Sequence, residues 1–184
     1  TEFHGIVNYK KQLIKAYFRE NEEHFNTVWY DEDKPLGTGG GLSLLKGKLS
    51  GTFFLTNCDL LIFTDYEKVL RFHRESGSAV TMVCAEKRVT IPYGVVETGE
   101  GGVITAMREK PAFQFLTNTG LYLVEPEVLG DIGEDEVIGF PDIIERQRRK
   151  GRRVSAYTVG EEDWLDMGQL DELEKMRERL YGKP

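Results

Sequence analysis

Asp59 closes the apolar run FFLTNCD, and Asp166 follows Trp164 in EEDWLDMG. In open α/β sheets the ligand crevice lies beyond the carboxyl ends of the strands, so two carboxylates placed there could share one hard cation with phosphate oxygens. Taken singly, each reads first as a turn former or a helix cap. Glu109 and Lys110 stand together in REKP. That pair offers an acceptor for hydroxyls beside a compact cation for a phosphate, or else an ordinary exposed surface pair. The third feature is KPLGTGGGLSLL, Lys34 to Leu45, which carries Gly37, Gly39, Gly40 and Gly41. A backbone without side chains can approach a ligand closely, and a phosphate is the first suspect where glycines open a helix. The spacing opposes it: there is no GxxxxGK[ST], and GxGxxG begun at Gly37 or Gly39 meets Leu42 or Leu44 in place of its last glycine. The loop suits something flatter than a phosphate.

Other chemistries find little support. His4, His24 and His73 have no zinc-like spacing and read as packed or solvated residues. Cys58 follows an apolar strand with no identifiable base, so it reads as a strand-end thiol. Cys58 and Cys84 form no CxxC pair, which suits a reducing, cytoplasmic setting. The net charge of −7 counts against nucleic-acid binding, which needs clustered cations. RQRRKGRR, Arg146 to Arg153, falls where a helix should end at Gly151, and reads as a solvated terminus complementing the helix dipole. An anion or partner site is the alternative for that run. No apolar stretch has the length of a membrane span, and no signal-like start is present.

The elements that must position these residues follow a βαβ rhythm. FHGIV from Phe3 is a strand. Leu13, Ile14, Tyr17 and Phe18 share a helical face, and FNTVWY ends a second strand at Tyr30. The glycine loop precedes a helix to about Leu45, TFFLTN from Thr52 is a strand, and Thr64 with Glu67 has the spacing of a capping box. Gly77 closes that helix, and AVTMVCAE from Ala79 is apolar enough for a strand buried on both faces. Two β segments flank a turn from Thr98 to Gly102. NTGLYLVEP from Asn118 is a strand, Pro141 starts a helix through Lys150, VSAYTV from Val154 is a strand, and Leu170, Leu173, Met176 and Leu180 stripe a terminal helix. With 184 residues and no internal repeat or linker, the expectation is one α/β domain, its sheet mostly parallel with a small antiparallel insertion.

EDKPLGTGGGLSLL, TNCDLL, IPYGVV, REKP, NTGLYL and WLDMG, in this order, resemble the sugar-phosphate nucleotidyltransferase family, most of all its mannose-1-phosphate guanylyltransferase-like branches. The resemblance runs from VNY at Val7 to the terminal helix. It implies a Rossmann-like, GT-A-like three-layer α/β/α domain in which Leu36, Gly37, Thr38 and Gly39 line a nucleobase. It further implies that Asp59 binds a catalytic Mg²⁺ (magnesium) and Asp166 completes its site, that Gly94 and Asn118 contact the sugar, and that Glu109 meets its hydroxyls and Lys110 its phosphate.

The implied reaction transfers a nucleoside monophosphate from an NTP to a sugar 1-phosphate, in nucleotide-sugar biosynthesis, by positioning and charge neutralisation. Glu32, just before the loop, could accept from N1–H and the 2-amino group of guanine, which points to GTP; its other reading is a solvated turn residue. A metal-dependent glycosyltransferase and a non-catalytic nucleotide-sugar-binding or regulatory domain are the competing readings.

The resemblance also implies a first strand and a glycine-rich loop carrying Arg and Lys for the triphosphate. Residues 1–184 lack these and are expected to be an N-terminally incomplete catalytic domain. Some members of these branches carry upstream CBS regulatory domains, and a homo-oligomer is compatible with the sequence.

Overall fold

The computed structural model describes residues 2–20, 26–168 and 170–181; His24 lies outside the described residues. Along the chain run β1 (Glu2–Val7), α1 (Lys11–Arg19), β2 (Asn26–Asp31), α2 (Gly37–Gly40), β3 (Phe53–Thr56), β4 (Leu60–Ile62), α3 (Tyr66–Ser76) and β5 (Val80–Thr90). There follow β6 (Val95–Thr98), β7 (Ile104–Arg108), β8 (Ala112–Val124), α4 (Phe140–Arg149), β9 (Val154–Val159), β10 (Trp164–Asp166) and α5 (Leu170–Tyr181). β1 and β2 pair in parallel, with Val7 opposite Asp31. A four-stranded sheet has the order β3-β8-β5-β9, and two antiparallel pairs, β10 with β4 and β6 with β7, stand apart from it.

The chain forms two compact units. The first comprises Thr1–Phe54, Ser76–Val80 and Leu123–Val154. Its core is built from the apolar residues of the sequence runs: Leu36, Leu42, Leu45, Leu123, Val128, Phe140 and Ile143 are all buried. The second comprises Leu55–Glu75, Thr81–Tyr122 and Ser155–Pro184. It buries Val69, Val83, Ala85, Leu121, Trp164, Leu165 and Met176. The near-continuous apolar run in β5 is buried from Val80 to Ala85 except for a half-buried Met82, as a strand covered on both faces must be. His73 is a packed residue: its ring nitrogen Nδ1 lies 2.7 Å from Thr81 Oγ1, which satisfies a buried polar group.

Local expectations shift in three places. The glycines do not precede the helix at Leu45; they form α2 themselves, which continues as a 3-10 turn, Gly41–Leu45. β8 begins at Ala112, six residues before the strand expected at Asn118; its first half is mostly exposed, although Phe113 and Phe115 alternate around Gln114 as a strand allows. The cap of α3 is Asp65, not Thr64. Asp65 Oδ1 accepts from the Glu67 N–H (3.0 Å) and the Lys68 N–H (3.2 Å), which are the N2 and N3 donors a cap must satisfy.

Those bonds, led by the one from the Lys68 N–H, hold the Asp65 carboxyl below its ordinary value of 3.8. A depressed folded-state pKa contributes stability that is present above the unfolded value and lost as pH falls through the folded one. Asp65→Ala should therefore lower the thermal midpoint at neutral pH, with the gap from wild type closing as pH drops below the ordinary Asp range. Thermal melts of both proteins from pH 7 to pH 2 check this, and a gap that widens with acid contradicts the capping assignment.

Candidate functional site

In the first unit the glycine loop is tied to one short segment. Ile138 N–H donates to the Leu36 carbonyl (2.9 Å), and the Ile138 carbonyl accepts from both Gly39 N–H (3.0 Å) and Gly40 N–H (3.2 Å). Phe140 N–H donates to Thr38 Oγ1 at 3.0 Å. The two glycine donors that could have cradled a phosphate are thus engaged within the protein, while Gly37 and Thr38 remain exposed. Gly37 has φ 78°, and a Cβ there would meet the Ile138 carbonyl oxygen at 2.7 Å. A Cβ on Gly40 would stand 2.1 Å from the Glu136 carbonyl oxygen. These glycines are required by the close approach of segment 136–140 as well as by any ligand.

Glu32 lies where the β1–β2 pair ends. Its N–H donates to the Val7 carbonyl (2.9 Å) and its carbonyl accepts from Asn8 Nδ2 (2.9 Å). The half-buried carboxylate rests against Gly41, where a Cβ would lie 2.7 Å from Oε1. Among the described residues it makes no side-chain hydrogen bond, so both oxygens are open to donors. Glu32 and the Leu36–Gly41 segment are therefore brought together.

In the second unit, β4 and β10 pair with Asp166 opposite Leu60 and Trp164 opposite Ile62. The ladder extends by a bond from Met167 N–H to the Asp59 carbonyl (2.9 Å), and Phe63 N–H donates to the Asp163 carbonyl (2.8 Å). Asp59 and Asp166, far apart in sequence, become neighbours at one end of this pair. Asp166 Oδ1 accepts from Gly168 N–H (2.8 Å), so the turn-forming role read for a lone aspartate is also met. Asp59 is exposed and its carboxylate has no side-chain hydrogen bond among the described residues. Among the described residues no group of three or more Asp, Glu, His or Cys gathers into a metal site.

The β6–β7 hairpin sets Val95 opposite Arg108, which makes Gly94 and Glu109 the next neighbours. A Cβ on Gly94 would lie 3.0 Å from Glu109 Oε2. Lys110, at φ 45°, donates its N–H to the Tyr93 carbonyl (3.3 Å). Asn118 is fixed on both sides of its amide: Nδ2 donates to Tyr122 Oη (2.7 Å) and Oδ1 accepts from Gly120 N–H (3.1 Å). Burial pushes the Tyr122 hydroxyl above its ordinary pKa, so it remains a neutral partner.

Two residues of this region escaped the sequence reading. Asn57 N–H donates to the Gly120 carbonyl (3.1 Å), and a Cβ on Gly120, at φ 88°, would lie 2.9 Å from the Asn57 side chain. A glycine inside an apolar strand was the available sign of that close approach. Lys87 was the other: its Nζ stands 5.4 Å from the centroid of the Trp164 ring and 3.1 Å from Glu161 Oε1, beside the strand that carries Asp166.

The chain matches the nucleotidyl transferase family profile over residues 4–181. It is 32% identical over 177 residues to the mannose-1-phosphate guanylyltransferase catalytic subunit beta of Drosophila pseudoobscura pseudoobscura, covering 89% of this chain and 45% of that protein. It is 29% identical over 189 residues to a UTP--glucose-1-phosphate uridylyltransferase of Synechocystis sp., covering 89% and 47%. The chain spans about half the length of the curated relatives it matches. Among solved structures, HddC from Yersinia pseudotuberculosis superposes with a TM-score of 0.70 at 19% identity, covering 96% of this chain and 77% of that one. That likeness identifies the fold as Rossmann-like α/β.

The glycine loop generates a steric prediction. Gly40→Ala drives a methyl into the Glu136 carbonyl and should cost about 2 kcal/mol. Gly130→Ala, where a Cβ meets nothing within 4 Å, should change stability by less than about 0.5 kcal/mol. Denaturant unfolding of the two variants checks the contrast.

Proposed function

Because the chain belongs to the nucleotidyl transferase family, we propose that it is the core of an enzyme that transfers a nucleoside monophosphate from an NTP to a sugar 1-phosphate, with GTP as the donor. The observation that carries this reading is the β4–β10 pairing, which makes Asp59 and Asp166 neighbours at one strand end. Those carboxylates would hold a Mg²⁺, which when bound supplies neutralisation of phosphate charge. Carboxylate oxygens are the donors a hard cation takes, which supports this reading.

The remaining roles fall to the chain's own residues. Leu36, Gly37, Thr38 and Gly39 take the base, which would meet the exposed Gly37 and Thr38 while Leu36 and Gly39 are buried behind them. The Thr38 hydroxyl oxygen already accepts from Phe140 N–H, which leaves its own proton to donate outward. Gly94, Glu109 and Asn118 take the sugar, with Glu109 accepting from its hydroxyls. Lys110 offsets the charge of the sugar phosphate. Catalysis here is alignment of an anionic nucleophile with an anionic centre, and it needs charge neutralisation and fixed geometry more than acid–base chemistry. A regulatory domain and a homo-oligomer, as partners, belong to the same proposal.

The choice of guanine rests on Glu32. Its unengaged carboxylate beside Gly41 supports acceptance of two donors from one base edge, N1–H and the 2-amino group, which uracil and thymine lack as a pair. Relatives that use either GTP or UTP by name make the base a matter for the loop itself.

In the natural full-length reading frame, Asp59→Asn and Asp166→Asn should each lower pyrophosphate release from NTP and sugar 1-phosphate by at least ~100-fold, with the thermal midpoint nearly unchanged. Wild-type rates in both variants at limiting Mg²⁺ would remove the metal assignment. In equal competition of GTP, UTP, dTTP and CTP, GTP should be used first, and Glu32→Gln should erode that preference by roughly 10- to 100-fold. Preference of the wild type for another base refutes the guanine reading without touching the reaction.

A further inference from the structure

The basic run 146–153 is mostly neutralised within the first unit. Arg148 and Arg149 both reach Glu145 (2.6 and 3.0 Å), and Lys150 reaches Asp131 (2.6 Å). Arg146 stands apart because its partner belongs to the segment that fastens the glycine loop. Its guanidinium forks onto Glu136, with Nη2 donating to Oε1 at 2.6 Å and Nη1 to Oε2 at 3.2 Å. Nη1 also donates to the Asp131 carbonyl at 2.5 Å, and Glu136 Oε2 accepts a second bond from Gly133 N–H at 2.7 Å. Both charges are therefore held at two points each, and the fork geometry fits arginine but not lysine.

Glu136 transmits this to the loop through its backbone. Its carbonyl lies against Gly40, and two residues on, Ile138 exchanges three backbone bonds with Leu36, Gly39 and Gly40. Phe140, the first residue of α4, bonds to Thr38. Arg146 sits on the same helix, so α4 grips the splint at both ends.

We propose that Arg146, through Glu136, is a positioning residue for the Leu36–Gly40 loop and so sets the affinity for the nucleobase of the donor NTP. This rests on the reading of that loop as the base site. The ion pair persists through the physiological pH range, because the Arg146 guanidinium holds the Glu136 carboxyl down to about 2. The loop is accordingly locked at neutral pH rather than switched by it.

The test uses the natural full-length protein, with GTP as probe. Arg146→Ala should raise KM for GTP, and the Kd for GTP by calorimetry, about 10-fold, because a misplaced loop loses contact with the base. The kcat at saturating GTP and the KM for the sugar 1-phosphate should stay within about 2-fold. Arg146→Lys, which keeps the charge and loses the fork, should fall between the two. The exchange Arg146→Glu with Glu136→Arg should recover part of the GTP affinity.

An unchanged KM and Kd for GTP overturns the proposal. So does a loss that strikes both substrates equally and tracks a lowered thermal midpoint, since that is the mark of a merely structural pair. If the wild type releases no pyrophosphate but binds GTP, the calorimetry alone decides and the proposed reaction is what fails. If the wild type binds no nucleotide, the base-site reading and this inference fall together.

Discussion

The Ile138 carbonyl takes the N–H groups of both Gly39 and Gly40, and the loop's possible chemistry follows from that shared acceptor. A helix of four residues has little dipole to offer, and its two inner donors face protein rather than ligand. What remains outward is the backbone at Gly37 and the Thr38 residue, while Gly39 and Gly40 are buried. The Glu136 carbonyl oxygen, 2.1 Å from where a Cβ would stand, explains why Gly40 cannot carry a methyl even though its backbone is ordinary helix at φ −65°.

The carboxylates depend on a different kind of economy. Three residues of β4 and three of β10 form a ladder too short to be stable alone, yet Ile62, Trp164 and Leu165 are buried and anchor it. The anchored end then fixes where Asp59 and Asp166 emerge. Lys87, over the Trp164 ring and bonded to Glu161, adds a cationic contact to the same strand. Arg179 of α5 lies 3.9 Å from the ring centroid of Phe63, just past β4, and bonds to the carbonyl of Glu162, just before β10.

Ion pairs occur in both units, Arg146 with Glu136 in the first and Lys87 with Glu161 in the second. In the first, the acidic and basic groups around α4 pair off, and Glu136 and Glu145 are both held to about 2 by their arginines. In the second, Asp59 has no cation beside it in any ion pair among the described residues.

The sequence by itself determined the elements with strong local signals. The run at Val80–Ala85 could only be a buried strand, the paired turn glycines Gly101 and Gly102 had to close a hairpin, and Gly77 had to end α3. It also carried the ordered motifs from which the family and the candidate residues could be read, since these are properties of residue type and order. Tertiary structure alone decided the rest. Asp65 rather than Thr64 caps α3 because the cap depends on which oxygen reaches the N2 and N3 amides, and both residues have one. β4 and β10 were invisible because three residues hold no period, and their pairing, which makes Asp59 and Asp166 neighbours, is a contact between distant stretches. The basic run does end a helix, as its place before Gly151 implies, but only the fold decides that Arg146 holds Glu136. No local pattern in a sequence records which carboxylate, many residues away, a guanidinium will meet, because packing of the intervening chain sets that distance.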